Sequence, residues 1–373
     1  MKIKNVILVL ALCAASFSYG IATGYWRLPP IDQVRDLYRL FHEKPVPKMA
    51  GFTLNTDAIA TALDAMSADI EATRNDLRSR VILPSDRVKV TSEDMGDGSR
   101  QISAQLYGLT TKSLLSKAAG GASCLRIYIQ GHGAGPFDMD YHNTLLTKAV
   151  EQGCDFLSMS MVGLGQNTGP VEFPSGRYPG QVTRMDWREA HRHGSYMVFH
   201  DVTLPAYDFL TLFLSPHYYT IQSIIDDYEN VSVMGISGGG WYTVWMAALF
   251  PEIDYSIVYA GSLPNVYRTS EAFHADYEEV AASIYDAFDY WQLYHLGSRR
   301  GETAEERVQY FVFNDRDNCC FMDPAASHFA GVAKEIYGDA VRVIVDQNDE
   351  HVMNVSVVEA IWQENVPGAG ATN

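Results

Sequence analysis

From residue 125 onward the chain repeats one alternation. Short apolar runs rich in β-branched residues ("LRIYIQ" at 125–130, "DFLSMSM" at 155–161, "VSVMGI" at 231–236, "YSIVYA" at 255–260, "VQYFVF" at 308–313, "VRVIVD" at 341–346) alternate with segments of helical spacing at 141–152, 206–214, 240–250, 326–337 and 353–364. Continuous apolar strands are buried on both faces, and strands separated by helices pair in parallel. Upstream, "RVKVTSED" and "RQISAQLYGL" alternate apolar and polar residues around Gly96-Asp97-Gly98, a hairpin signal. The eight runs predict an α/β fold: a mostly parallel eight-stranded sheet with helices on both faces, in one domain over 85–373. Two connections, 163–205 and 262–306, exceed the usual length and are expected to be insertions near a ligand.

The ends of the chain read differently. Lys2 and Lys4 precede an apolar run from Val6 to Ala22, the pattern of a secretory signal or of an uncleaved membrane anchor. Residues 1–24 are therefore read as that segment and 25–84 as a helical arm with spacing at 31–43 and 57–80. Export to the cell envelope follows, either anchored through the N-terminus or released as a secreted or periplasmic protein. Leu12 before Cys13 does not suit a lipoprotein signal. A net charge of −17 with no basic cluster excludes nucleic acid as a partner. Outside the leader, Cys124 and Cys154 can pair if their strands are neighbours, and Cys319 and Cys320 are adjacent; free thiols are the other reading.

The run at 231–236 continues as Gly235-Ile-Ser237-Gly-Gly239 and then as an apolar helix. A hydroxyl is a weak nucleophile until a tight turn exposes it and a base removes its proton. A strand–G-x-S-x-G–helix arrangement supplies that turn. The partners are expected further along, at later strand ends, in the order acid then histidine. "NDRDNCCF" releases Asp315 and Asp317 after one strand, and "NDEHVMN" releases His351 after the last. Asp317 is the expected orienting acid, with Asp315 structuring the loop. Gly238 is one oxyanion donor, and "QGHGAG" after the third predicted strand offers Gly133 or Ala134 as the second. His132 in that loop is read as shaping it, and the base role is kept for His351.

With these residues in place the chain resembles an α/β-hydrolase, and more narrowly exported bacterial α/β-hydrolase-like proteins of undefined substrate. The segments that carry the resemblance are "GISGGGWYTVWMAALFPEIDYSIVYAGSLPNVYR", "NDRDNCCF" and "NDEHVMN", and it spans residues 87–365. It implies a Ser237, Asp317, His351 triad. One departure is Asn314, which stands where many relatives carry a glycine three residues before the acid.

The expected activity is cleavage of a carboxylic ester or related acyl bond in a small-molecule or acyl substrate, with no cofactor. The alternatives are a peptidase or amidase with the same triad and a non-catalytic ligand-binding envelope protein. His191, His193, His200 and Asp201 in "REAHRHGSYMVFHD" could in principle bind zinc; they are read as a polar loop, because the serine constellation needs no metal. The aromatics of 277–294 are read as a pocket lid or a cap packed on the core, and Asp276 and Glu278 as substrate contacts or a solvated face.

Overall fold

An exposed edge strand and two strands of alternating burial open the sheet, and continuous burial fills its centre. Strands β1 (Lys89–Asp94), β2 (Ser99–Leu106) and β3 (Leu109–Ser116) form an antiparallel meander. β4 (Cys124–Gln130) and β5 (Cys154–Ser160) follow, both buried almost throughout. β6 (Pro170–Pro174) and β7 (Val182–Asp186) make a separate antiparallel ladder. β8 (Asn230–Ile236) and β9 (Tyr255–Tyr259) return to the main sheet. β10 (Arg299–Arg300) and β11 (Glu305–Glu306) pair with each other, and β12 (Val308–Asn314) and β13 (Val341–Asp346) complete the main sheet. Its order is β1-β2-β3-β5-β4-β8-β9-β12-β13, and every neighbour pair from β5 to β13 is parallel.

These coordinates are a computed structural model that describes residues 54–132, 135–167, 170–174, 182–186, 210–268, 276–280, 282–300 and 305–365. The apolar N-terminal run, the helix expected at 31–43, Gly133, Ala134, His191, His193, His200 and Asp201 lie outside the described residues. Among the described residues, no helix is long and apolar enough to cross a membrane.

The helices are α1 (Thr56–Ser67), α2 (Ile70–Val81), α3 (Asp140–Glu151), α4 (Leu210–Gln222), α5 (Gly238–Leu249), α6 (Tyr277–Val280), α7 (Ala282–Tyr285), α8 (Tyr290–Gly297), α9 (Ala325–Tyr337) and α10 (Val355–Glu364). Helix α5 is buried along its whole length. Its last carbonyls are met by three arginines: Arg307 reaches Ala247 and Phe250, Arg74 reaches Ala248, and Arg78 reaches Leu249. Cations there complement the negative end of the helix dipole and satisfy oxygens the helix leaves open.

Three expectations are corrected. The main sheet has nine strands, not eight. The extra one, β3, follows a two-residue turn in which Tyr107 and Gly108 both have positive φ (48° and 79°). A tyrosine is an uncommon residue for that conformation, so the turn carries no ordinary sequence signal. The helix expected over 57–80 is two helices, because the Asp69 side chain caps a new start by accepting from Ala72 N at 2.9 Å. The helix expected to end at 214 runs to Gln222 through Pro216, in a segment where nearly every side chain is buried. Cys124 and Cys154, by contrast, are register partners on adjacent strands and are bridged, with Cα atoms 4.8 Å apart.

The topology marks a switch point in the sheet. From β4 the chain adds β5 on one side and later β8 on the other, so the direction of growth reverses at β4. Open α/β sheets bind ligands beyond the carboxyl ends of strands at such a reversal. Gly131 and His132 leave β4 there, and Ser237 leaves β8.

Candidate active site

Ser237 occupies the single residue between β8 and α5, with φ 56° and ψ −129°. That conformation is costly for a residue with a Cβ and persists only where the surroundings impose it. Here Ser237 N donates to Tyr259 O at 2.9 Å, and Ser237 O accepts from Trp241 N at 3.1 Å. The flanking glycines permit the close approach. A Cβ on Gly235 would strike the Gly239 carbonyl, and one on Gly239 would strike the Ile129 carbonyl. Ser237 itself is half-buried.

Asp317 and His351 meet. Asp317 Oδ2 lies 2.8 Å from His351 Nδ1, and the carboxylate is fully buried. Its other oxygen accepts from the amides of Cys319 and Cys320 at 2.8 and 3.2 Å. Asp315 faces elsewhere, taking Asn348 N at 3.0 Å. His351 Nε2 is buried and makes no hydrogen bond among the described residues; no Ser237–His351 hydrogen bond is closed in this structure. All three residues leave carboxyl ends of parallel strands, Ser237 from β8, Asp317 from the loop after β12 and His351 from the loop after β13.

Asn314, at the end of β12, ties the histidine loop down. Its Nδ2 donates to Glu350 O at 2.8 Å and Val352 O at 3.1 Å, and its Oδ1 accepts from Tyr259 OH at 3.0 Å. Tyr259 OH in turn accepts from Asn354 N at 3.0 Å. Thus Tyr259 holds Ser237 through its main chain and the His351 loop through its side chain. The sequence flagged Asn314 only as a departure from the family pattern; a polar residue ending the apolar run 310–313 was the available signal.

On the opposite side Gly238, the first residue of α5, carries an amide for which the helix has no acceptor. The loop after β4 crosses it closely, since a Cβ on Gly131 would come 3.1 Å from Gly238 N and 2.8 Å from Ser237 Cβ. Gly133 and Ala134 lie beyond the described residues. His132 packs on Gly238: a Cβ there would sit 2.6 Å from His132 Cε1. Its Nε2 is 3.1 Å from Glu278 Oε1 and its Nδ1 3.5 Å from Asp276 Oδ2. Burial opposes a charge on His132, yet Glu278, Asp276 and Glu279 outweigh it and hold the imidazole pKa above its ordinary value. The Glu278 side chain is fully buried, so it belongs to no solvated face. Next to it Glu279 pairs with Arg268 at 2.7 Å, and Arg268 lies over the Tyr290 ring. The aromatics at 288–294 pack in the core, with Tyr290, Trp291 and Tyr294 all buried.

Two groups among the described residues bring three metal-ligating atoms within 4.8 Å of one another: Cys319, Cys320 and His351, and His132, Asp276 and Glu278. The cysteines of the first are bridged to each other, and both ring nitrogens of His132 already face carboxylates.

The sheet order, the crossover at β4 and the strand–Ser237–helix turn define the α/β-hydrolase fold. No protein-family model matches the chain, and no curated protein matches its sequence. Solved structures similar to it include Est1E from Butyrivibrio proteoclasticus, at 13% identity and TM-score 0.45, covering 71% of this chain and 96% of that one. Acetyl xylan esterase 1 from Thermoanaerobacterium sp. JW/SL YS485 is similar at 15% identity and TM-score 0.45, covering 84% of this chain and 98% of that one. The methylesterase BT1017 is similar at 14% identity and TM-score 0.49, over 83% of this chain and 64% of that one. At such identities and scores the chemistry of those proteins does not transfer to this one.

Proposed function

We propose that the protein is a serine hydrolase that cleaves a carboxylic ester or related acyl bond through an acyl-enzyme. The observation that carries this is the Asp317–His351 pair, held at 2.8 Å, with no hydrogen bond to His351 Nε2 among the described residues. Asp317 fixes the proton on Nδ1, so Nε2 is the lone-pair nitrogen and can act as base. Ser237 Oγ attacks the substrate carbonyl as His351 takes its proton. The tetrahedral oxyanion develops against Gly238 N–H, with Gly133 or Ala134 as the second donor. Collapse expels the alcohol, which receives the proton from His351. Water, activated by the same histidine, then releases the acid and restores Ser237. Closing the Ser237–His351 hydrogen bond is assigned to the substrate complex, since such bonds are often open in the free enzyme. No step calls for a cofactor.

Export through the N-terminal apolar run is part of the proposal. Both cysteine pairs of the described domain are bridged, which suits an oxidising compartment. The N-terminal sequence of the protein recovered from cell fractions distinguishes a cleaved leader from an anchor.

A fluorophosphonate probe with a panel of p-nitrophenyl esters and peptide anilides tests the activity. Ester turnover and labelling that disappear in Ser237→Ala are expected. Labelling that survives in Ser237→Ala overturns the assignment. Preference for anilides would make the protein an amidase, and a folded protein with neither labelling nor turnover would make it a binding protein.

A further inference from the structure

All side-chain hydrogen bonds of Asp317 among the described residues run either to His351 or to one pair of adjacent cysteines. Oδ2 takes His351 Nδ1, and Oδ1 takes the amides of Cys319 at 2.8 Å and Cys320 at 3.2 Å. Those two residues are joined by a disulfide. Bridging neighbours closes a small ring through the peptide bond between them and removes backbone freedom at both residues. The amides that grip the buried carboxylate are thus aimed by the bridge. Cys319 is exposed, so a thiol can reach it, and both sulfurs lie within 4.8 Å of a His351 ring nitrogen.

We infer that the Cys319–Cys320 disulfide is a redox-sensitive positioning element for Asp317, resting on the proposed hydrolase reading. With the bond closed, both amides hold Oδ1 and Asp317 holds the histidine. With the bond open, the turn relaxes, Asp317 loses donors and His351 loses its orientation. The reductant is a dithiol. Its thiolate attacks Cys319 Sγ, breaking the Cys319–Cys320 bond and forming a mixed disulfide, and Cys320 leaves as a thiolate. The second reductant thiol then displaces Cys319 and closes the reductant's own disulfide. Two electrons pass to the cysteines, and the two protons of the reductant thiols end on the two sulfurs. Reoxidation reverses the exchange.

The test uses full-length protein equilibrated over a series of dithiol/disulfide ratios. Alkylation and peptide mass mapping read the 319–320 bond separately from Cys124–Cys154. The expected result is a fall in kcat of about ten- to a hundredfold as the 319–320 bond opens, with KM unchanged and full recovery on reoxidation. Cys319→Ser/Cys320→Ser should stay at the reduced level and ignore the reductant, while Cys124→Ser/Cys154→Ser keeps the response. Unchanged kcat in protein whose 319–320 bond is mapped as open overturns the inference. If oxidised protein neither labels nor turns over, the hydrolase reading fails on its own. The positioning element is then read from the low-field proton resonance of the His351–Asp317 hydrogen bond. Loss of that resonance on reduction supports the element, and its persistence overturns it.

Discussion

Asn314 brackets His351: its side-chain amide donates to the main-chain oxygens of the residues immediately before and after the histidine, at 2.8 and 3.1 Å. Strand β12 therefore holds the His351 loop by the backbone on both sides as well as through Asp317. Three residues before Asp317, this chain has a side chain with three hydrogen bonds inside the site.

Replacing Asn314 by Leu should keep the branched shape and remove those bonds, leaving the Glu350 and Val352 carbonyls and the Tyr259 hydroxyl each short of one hydrogen bond. A stability loss of about 1–3 kcal/mol is expected, with kcat reduced about tenfold or more by misplacement of His351, the proposed base. Urea denaturation and steady-state kinetics check both. Loss of stability with full kcat would show that the loop is held by Asp317 and Asn354 alone.

The turn at Ser237 predicts opposite outcomes for neighbouring residues. Ser237→Gly should relieve the positive φ and raise stability by about 1–3 kcal/mol, while Ser237→Ala keeps the strain and leaves stability near the parent. Gly239→Ala should fail to fold or lose several degrees of Tm, because its Cβ would strike the Ile129 carbonyl. Thermal melts of the three variants test the ranking. A stable Gly239→Ala would mean that α5 can shift away from β4.

Much of this was legible because the physics is local. Continuous apolar runs marked the central strands, and the G-x-S-x-G turn marked the position where β8 gives way to α5. Asp317 and His351 could be nominated from where their strands end. Their contact depends on the registry of β12 against β13, which no short stretch encodes. The same holds for His132, whose carboxylate partners come from a segment more than a hundred residues away. The third strand was hidden by Tyr107 in a turn that usually takes Asn, Asp or Gly. The proposed second oxyanion donor stays a matter of sequence, since Gly133 and Ala134 are not among the described residues.

Three buried histidines set an acid limit on stability. His142, hydrogen-bonded to Ser158 at 2.8 Å, His217, on Ser160 O at 2.9 Å, and His295, on Ser67 at 2.8 Å, all have pKa values lowered by burial to about 4. The unfolded chain binds protons on these rings below pH about 6.5 while the folded one does not. Their contribution is therefore fully present above that pH and is lost as pH falls toward 4, by about 3 kcal/mol per histidine. His132 runs the other way, its raised pKa stabilising the fold at low pH and ceasing to do so as pH rises through it. Urea midpoints measured between pH 7 and 5 should fall steadily, and His217→Gln should flatten the slope. A flat profile in the parent would mean that these rings protonate in place.

The helix that follows Ser237 is secured at its far end by a residue remote from the candidate site. Arg307 is buried and donates to four carbonyls, those of Ala247, Phe250, Ile253 and Leu296, at 2.6–2.9 Å. Burial lowers its pKa to about 9, which leaves it charged at neutral pH. Arg307→Met fills the space but strands those oxygens, and a loss of about 3–5 kcal/mol is expected. Arg307→Lys should recover part of it, reaching fewer of the four acceptors. The molecules that remain folded should label at Ser237 at the parent rate, because the turn is held by Tyr259 and not by the end of the helix. Urea denaturation gives the first result and probe labelling of the folded fraction the second. Slowed labelling in the folded fraction would show that the end of α5 transmits strain back to Ser237.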